Sequence, residues 1–316
     1  MRSFNIDFNR VFKTVLIIYA AFFIVGIVFM FVPSFGVKLD INFSGGTKLA
    51  YSYEGDVDDA EIESAVKEVI DNSFTVSKST SLAGDTKTFE ITLVGRESIS
   101  AETQEELTGK LTETFGDNDI TLYNSNSVSP NIAGTFFAKS LVAVLITAVL
   151  VVIYVGIRFR RIGGVSAAVT ALLTLIFDVL VTFFVCVIFR LQIDSNYIAV
   201  VLTILGYSLN DTIVIYDRVR ENERLNPDAE IGVLVNDSIN MVKVRNIVTS
   251  VTTFIAVITI VVVSELFGLS SLRTFAVPMA FGIVSGGASS LFIAGPMWVI
   301  WNRHKAKKAL AEGKKK

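Results

Sequence analysis

Six runs of about 20 apolar residues, near 14–32, 136–157, 165–189, 197–216, 246–266 and 273–301, constrain this chain more than any motif does. A helix of that length rises roughly 30 Å, the hydrocarbon thickness of a bilayer, and it satisfies its own backbone hydrogen bonds there. The chain therefore reads as a polytopic α-helical membrane protein with six transmembrane helices. The first run follows Arg2, Arg10 and Lys13, as a signal anchor does, and ends in Phe31-Val-Pro-Ser-Phe-Gly36. No small-x-small cleavage pattern follows it, so this span is expected to be retained.

The mean hydropathy of +0.58 averages these spans with one polar block. Four parts result: an N-terminal cytoplasmic segment with the first span (1–33), an α+β block (34–135), a five-helix bundle (136–302) and a basic tail (303–316). The net charge of -2 conceals a segregation of signs. Basic residues crowd the N-terminus, Arg158-Phe-Arg-Arg161, the loop from Arg218 to Arg245, and the tail from Arg303. By the positive-inside rule both termini are cytoplasmic and the Asp/Glu-rich block is extracytoplasmic. Within that block, strand and helix periodicities alternate as β-α-β-β-α-β, a ferredoxin-like order, with a polar glycine turn at Asp40–Thr47 leading into the first strand. Pro130 sets the start of the second span.

Cysteine and histidine usage excludes several chemistries. Cys186 stands alone inside a span, so no intrachain disulfide or cysteine-based metal site can form, and the single histidine, His304, lies in the tail, which weighs against zinc hydrolases, histidine-based triads and haem ligation by a histidine pair. No P-loop is present, and neither a metal nor a cofactor nor an enzymatic activity is expected. Nothing points to nucleic acid.

The polar residues inside the spans are more informative. Asp211 lies in the fourth apolar run, and an acid there costs roughly 2.5–3.5 kcal/mol to insert, so it is a functional candidate. Thr203, Tyr207, Asn210, Asp211 and Arg218 share one broad helix face by their spacing. In the third span Ser166, Thr170, Thr174, Asp178 and Thr182 recur every four residues, a polar row containing a second acid. Arg245 heads the fifth span, with Thr249, Thr252, Thr253 and Thr259 following; it reads either as a snorkelling anchor or as a partner for an acid. Between the fourth and fifth spans, Ile231, Leu234, Val235, Ile239 and Val242 predict a separate amphipathic helix along the cytoplasmic interface. The sixth span carries Gly282, Ser285, Gly286, Gly287, Ser289, Ser290 and Gly295-Pro296, which read as close-packing residues without chemistry.

Four segments carry a family resemblance. They are Asp40 with Phe43-Ser-Gly-Gly-Thr47; Gly206-Tyr-Ser-Leu-Asn-Asp-Thr-Ile-Val with Asp217-Arg-Val-Arg-Glu-Asn222; Arg245 with Thr249, Ser250, Thr252 and Thr253; and Phe281-Gly with Gly286, Ser289 and Ser290. Over nearly its whole length the chain resembles the SecF family, bacterial plasma-membrane subunits of the resistance-nodulation-division type that work with SecD beside the protein-export translocase. The resemblance implies a pseudo-twofold bundle with SecD, contact with the SecYEG translocon and an exported unfolded polypeptide, and use of the proton motive force. It places the family's intramembrane acid and arginine at Asp211 and Arg245. Asp178 joins them as a proton-relay candidate from its position in the row, with Tyr207, Asn210, Arg218 and Thr249 as supporting polar groups. Desolvation favours a neutral carboxyl and a neighbouring guanidinium favours a charged one, so a moving arginine can switch such an acid. An aspartate among hydroxyls suits H⁺ or Na⁺ equally.

Three other readings compete. A half-transporter of the same superfamily for lipids or small molecules would need a larger or duplicated external domain. An intramembrane aspartyl protease would use Asp217 but lacks the partner Gly-x-Gly-Asp motif. A passive scaffold would hold a partner and make Asp211→Asn silent.

Overall fold

The computed structural model describes residues 5–32, 35–70, 74–80, 87–94, 99–116 and 118–313. Its first helix, α1 (Phe8–Phe31), is capped by Asp7, whose carboxylate accepts from the Arg10 amide at 3.1 Å. A one-turn helix, α2 (Ile41–Ser44), follows with Asp40 as its cap. It ends at Gly45 and Gly46, with φ of 78° and 135°. A Cβ on Gly46 would collide with the Leu93 carbonyl oxygen, so glycine is required for the chain to enter the sheet here.

The α+β domain comprises β1 (Gly46–Tyr53), α3 (Asp59–Val69), β2 (Phe74–Thr80), β3 (Lys87–Val94), α4 (Ala101–Thr114) and β4 (Thr121–Val128). All pairings are antiparallel, in the order β2-β3-β1-β4. Strand alternation puts Leu49, Tyr51, Phe89, Ile91 and Leu93 on one face, buried with Ile62 and Val66 of α3 and Leu107 and Leu111 of α4. Lys48, Glu90 and Thr92 alternate onto the opposite face. The Ser100 hydroxyl caps α4 by accepting from the Thr103 amide at 3.1 Å. The turn expected around Gly84-Asp85, and the end of the preceding strand at 81–82, lie outside the described residues.

Pro130 opens α5 (Pro130–Arg158) at its first turn, where a missing N–H costs nothing. The bundle continues through α6 (Gly164–Ile188), α7 (Ser195–Leu225), α8 (Ile231–Leu266) and α9 (Ser270–Ser289), a π-helical turn over Ser290–Ala294, and α10 (Gly295–Gly313). Among the described residues six segments are long and apolar enough to cross a membrane, α9 and α10 counting as one. Helices α6, α7 and α9 form the centre. Helices α1, α5 and α8 are peripheral and show apolar side chains outward, as a lipid-facing surface does: Ile17 and Ile24 on α1, Leu145 and Val149 on α5, Val251 and Ile255 on α8.

The structure corrects one element. The amphipathic segment Ile231–Val242 is no separate interfacial helix; it is the first third of a continuous helix running to Leu266. The apolar stripe has a protein partner, which removes the reason for it to lie on a membrane surface. Val235 and Ile239 pack against Gly295. Asn236 and Asn240 accept from the amides of Phe8 and Ile6 at 2.9 and 3.0 Å, tying the N-terminal segment to α8.

Candidate functional site

The polar row of α6 faces the interior of the bundle. Thr170, Thr174, Asp178 and Thr182 are fully enclosed and Ser166 nearly so. Trp298 Nε1 donates to Ser166 Oγ at 3.0 Å, Thr170 and Tyr216 share a hydroxyl hydrogen bond of 2.7 Å, and Thr182 meets the Tyr197 hydroxyl at 3.4 Å. Thr174 instead bonds the Thr170 carbonyl one turn back, the usual fate of a threonine within a span.

Asp178 sits in the middle of this row inside a cage of serines. Ser208 of α7 donates to Oδ2 at 2.6 Å, Ser285 of α9 donates to Oδ1 at 2.6 Å, and Ser289 of α9 donates to Oδ2 at 3.0 Å. Tyr19 of α1 lies 3.1 Å from both the hydroxyl and the carbonyl oxygen of Ser285, so four helices meet at one carboxyl group. Among the described residues no basic side chain forms an ion pair with it. The cage closes because α7 and α9 approach tightly: a Cβ on Gly286 would stand 3.0 Å from that of Ser208. Ser290 Oγ reaches back to the Ser208 carbonyl at 3.2 Å and to Thr212 Oγ1 at 3.0 Å from the π-helical turn, the kind of local distortion that re-aims a side chain.

Asp211 lies one turn along α7 from Ser208 and is 2% exposed. Its environment differs sharply from that of Asp178. Among the described residues the one side-chain hydrogen bond to its carboxylate comes from Ser250 of α8 and is long, at 3.4 Å, while Asn246 Nδ2 sits 3.5 Å from its carbonyl oxygen. Asn246 Oδ1 and the Tyr207 hydroxyl are buried without a hydrogen-bond partner among the described residues. Arg245 is close enough for its charge to act on Asp211, yet its guanidinium is in an exposed part of α8 and forms no ion pair among the described residues.

The other residues singled out from the sequence separate. Asn210 is exposed, Tyr207 half-buried and Thr203 exposed, so they form a border and an outer stripe instead of sharing the inward face of Asp211. Arg218 pairs with Glu221 at 2.6 Å near the far end of α7. The Thr249 hydroxyl bonds backbone carbonyls of its own helix, at Arg245 and Asn246. Asp217 pairs with Arg158 and Arg220 at 3.2 and 2.9 Å. The sequence assigns no chemistry to Ser208, and Ser285 and Ser289 read there as packing residues, yet these three supply the cage. Their signal was present, since Ser285 and Ser289 are four apart and so share a face opposite the acid row.

Fold and site together define a multi-pass membrane protein with an α+β domain between its first and second spans and two acids buried in a polar seam. A family model described as "Protein export membrane protein SecD/SecF, C-terminal" matches residues 107–304. The protein translocase subunit SecF of Borreliella burgdorferi is 31% identical over 299 residues, which are 92% of this chain and 96% of that one. SecDF of Bacillus subtilis is 31% identical over 97% of this chain but 39% of its own length. A crystal structure of SecDF, a translocon-associated membrane protein from Thermus, superposes with a TM-score of 0.76 at 26% identity, covering 95% of this chain and 39% of that longer one. The chain belongs to the SecD/SecF family.

Proposed function

We propose that this chain works as a SecF-type subunit of the Sec translocase and uses the proton motive force to promote export of unfolded polypeptides across the plasma membrane. The observation that carries the reading is the position of Asp211. It is enclosed in the bundle with one long hydrogen bond, beside an orphaned amide oxygen and within reach of the charge of Arg245. A carboxyl held so loosely can gain and lose a proton at small structural cost, in contrast to the saturated carboxyl of Asp178. Moving one charge through 100 mV supplies about 2.3 kcal/mol, enough to bias a packing equilibrium of a few kcal/mol.

The charge segregation supports cytoplasmic termini and an extracytoplasmic α+β domain. The β-α-β-β-α-β order with sheet order β2-β3-β1-β4 supports its ferredoxin-like reading. A SecD-type subunit is the proposed partner, because the SecDF relatives carry the matching segment within a longer chain. Asn210 on α7 and Arg245 on α8 are exposed polar side chains on the outside of the bundle that lipid would not solvate, whereas the Thr203, Thr249 and Thr252 hydroxyls beside them bond carbonyls of their own helices. SecYEG and the exported chain are the remaining partners of this reading.

The test is late-stage export of a secreted protein in inverted vesicles containing this chain and its partner, with and without an uncoupler. Asp211→Asn is expected to give assembled protein without the uncoupler-sensitive component, and Arg245→Met to do the same. An Asp211→Asn variant that keeps that component in full would make Asp211 structural and leave the scaffold reading.

A further inference from the structure

Where the α+β domain meets the bundle, a cleft of about 410 Å³ opens between the polar sheet face and the helix ends. Its walls come from the segment after α1, the α6–α7 connection and the start of α9, all at the sheet end of the spans. Backbone bonds fix two of these walls to each other: the Asp40 amide donates to the Ile193 carbonyl at 3.0 Å and the Ile193 amide to the Lys38 carbonyl at 2.8 Å.

Among the described residues four cations line the cleft: Lys38, Lys48, Arg190 and Arg273. Two are neutralised. Lys48 binds Glu90 and Asp40 at 3.2 and 3.6 Å, and Arg273 binds Glu265 at 2.7 Å. The remaining acid, Asp194, is spent on the start of α7, accepting from the Tyr197 amide, Asn196 and Thr274 at 3.0–3.1 Å. Lys38 and Arg190 form no ion pair among the described residues, although they lie near enough to repel. Burial, and then the Arg190 charge, push the Lys38 ammonium below its ordinary range.

Arg190, exposed at the cleft mouth, holds a left-handed backbone with φ of 56° and stands over the Phe35 ring at 5.7 Å. Helix α9 begins beside them without a side-chain cap, adding partial positive charge at Ser270 and Ser271. Two cations without an ion pair among the described residues, beside a helix N-terminus, call for an anion. The surroundings select its kind. Phe31, Val32 and Val37, in the segment that supplies Lys38, are exposed apolar side chains at the end of a membrane span.

We propose that this cleft binds the phosphate of an anionic phospholipid from the leaflet on the sheet side, held between Lys38, Arg190 and the α9 N-terminus with its acyl chains running down α1. The bound lipid would brace the α+β domain against the bundle. This rests on the helices being membrane spans and is independent of the proton-coupling reading.

The experiment is native mass spectrometry of the full chain in detergent, titrated separately with short-chain phosphatidylglycerol, short-chain phosphatidylcholine and inorganic phosphate. Wild type is expected to take up one phosphatidylglycerol at least tenfold more tightly than the Lys38→Gln/Arg190→Gln variant. Lys38→Arg/Arg190→Lys should retain it, and Arg303→Gln, at the opposite end, should be unaffected. Equal uptake by wild type and the double Gln variant overturns the site. Equal uptake of the two lipids overturns the anionic selectivity. Inorganic phosphate binding as tightly as the lipid overturns the lipid as its source. The rescue by Lys38→Arg/Arg190→Lys separates lost recognition from lost folding.

Discussion

The serine cage around Asp178 makes a quantitative prediction that does not depend on what the protein transports. Single substitutions there mix opposing effects: deleting the carboxyl removes three hydrogen bonds but also removes a polar group that is costly to bury. Ser289 has a second acceptor in the Gly286 carbonyl at 3.2 Å, and Ser285 has Tyr19, so only Ser208 lacks an alternative acceptor among the described residues. A double-mutant cycle cancels these background terms. For Asp178→Ala against Ser208→Ala the coupling should be about 1–1.5 kcal/mol: the bond is short, at 2.6 Å, and lies near the upper end of interhelical hydrogen bonds measured in membranes, which average about 0.6 and reach about 1.7 kcal/mol. For Asp178→Ala against Ser289→Ala it should be smaller, about 0.5 kcal/mol, because the bond is longer and replaceable. Reversible unfolding in rising SDS mole fraction, followed by tryptophan fluorescence with the buried Trp298 as reporter, measures both cycles. Equal couplings, or a Ser208 coupling below about 0.3 kcal/mol, would refute the view that this carboxyl joins α6 to α7.

Three further outcomes follow from other parts of the molecule. Asn210→Leu with Thr203→Leu should leave the stability of the isolated chain within about 0.5 kcal/mol, yet weaken co-purification with a SecD-type subunit about tenfold; unchanged recovery would show that this face is not the interface. Gly46→Ala, with φ of 135° and the Leu93 carbonyl in the way, should destabilise the α+β domain by about 2–4 kcal/mol, read from protease susceptibility of that domain alone. Hydrogen bonds from Arg303, then from the Gly232 amide, hold the Glu230 carboxyl below its ordinary value of 4.5. A depressed folded value means that the pair contributes above that pH and is lost as pH falls below it, so Glu230→Gln should flatten stability against pH only in the acid limb, and salt should shrink the effect.

Much of the architecture was legible because the bilayer simplifies it. Span count, the α+β block and the Pro130 start all follow from local rules on periodicity and backbone geometry. The error at α8 has a specific cause. An amphipathic stripe announces that an apolar face needs cover but not what covers it, and here Gly295 packs on Val235 and Ile239 from distant sequence while Ile6 and Phe8 tie the N-terminal segment alongside through Asn240 and Asn236. The site was legible in its acids and less so in their partners. Asp178 stood out because its row repeats every four residues, whereas the donors to it come from two other helices and look like ordinary small packing residues. Grouping Asp211 with Tyr207 and Asn210 treated a broad helix face as one environment. The structure divides that arc between the interior, a half-buried border and the outside.

That division gives α7 an unusual position. Toward the centre it presents Ser208 and Thr212, bound to Asp178 and Ser290, with Asp211 enclosed beside them; toward the outside it presents Thr203 and Asn210, and Tyr207 lies between. Asn210 on the outer side leaves α7 poorly suited to lipid, which supports the proposed SecD-type partner on that side. The two acids then differ in kind. Asp178, saturated by short hydrogen bonds, fixes α7 to α6 and α9, and any change there must break several contacts together. Asp211, with one long bond and a cation nearby, can change state while those contacts hold. Because only one helical turn separates Ser208 from Asp211, a shift of α7 driven at Asp211 is resisted directly by the Asp178 cage. On the proposed proton-coupled reading, the cage would set how much of the energy gained at Asp211 is spent inside this chain and how much reaches a partner on the outer face.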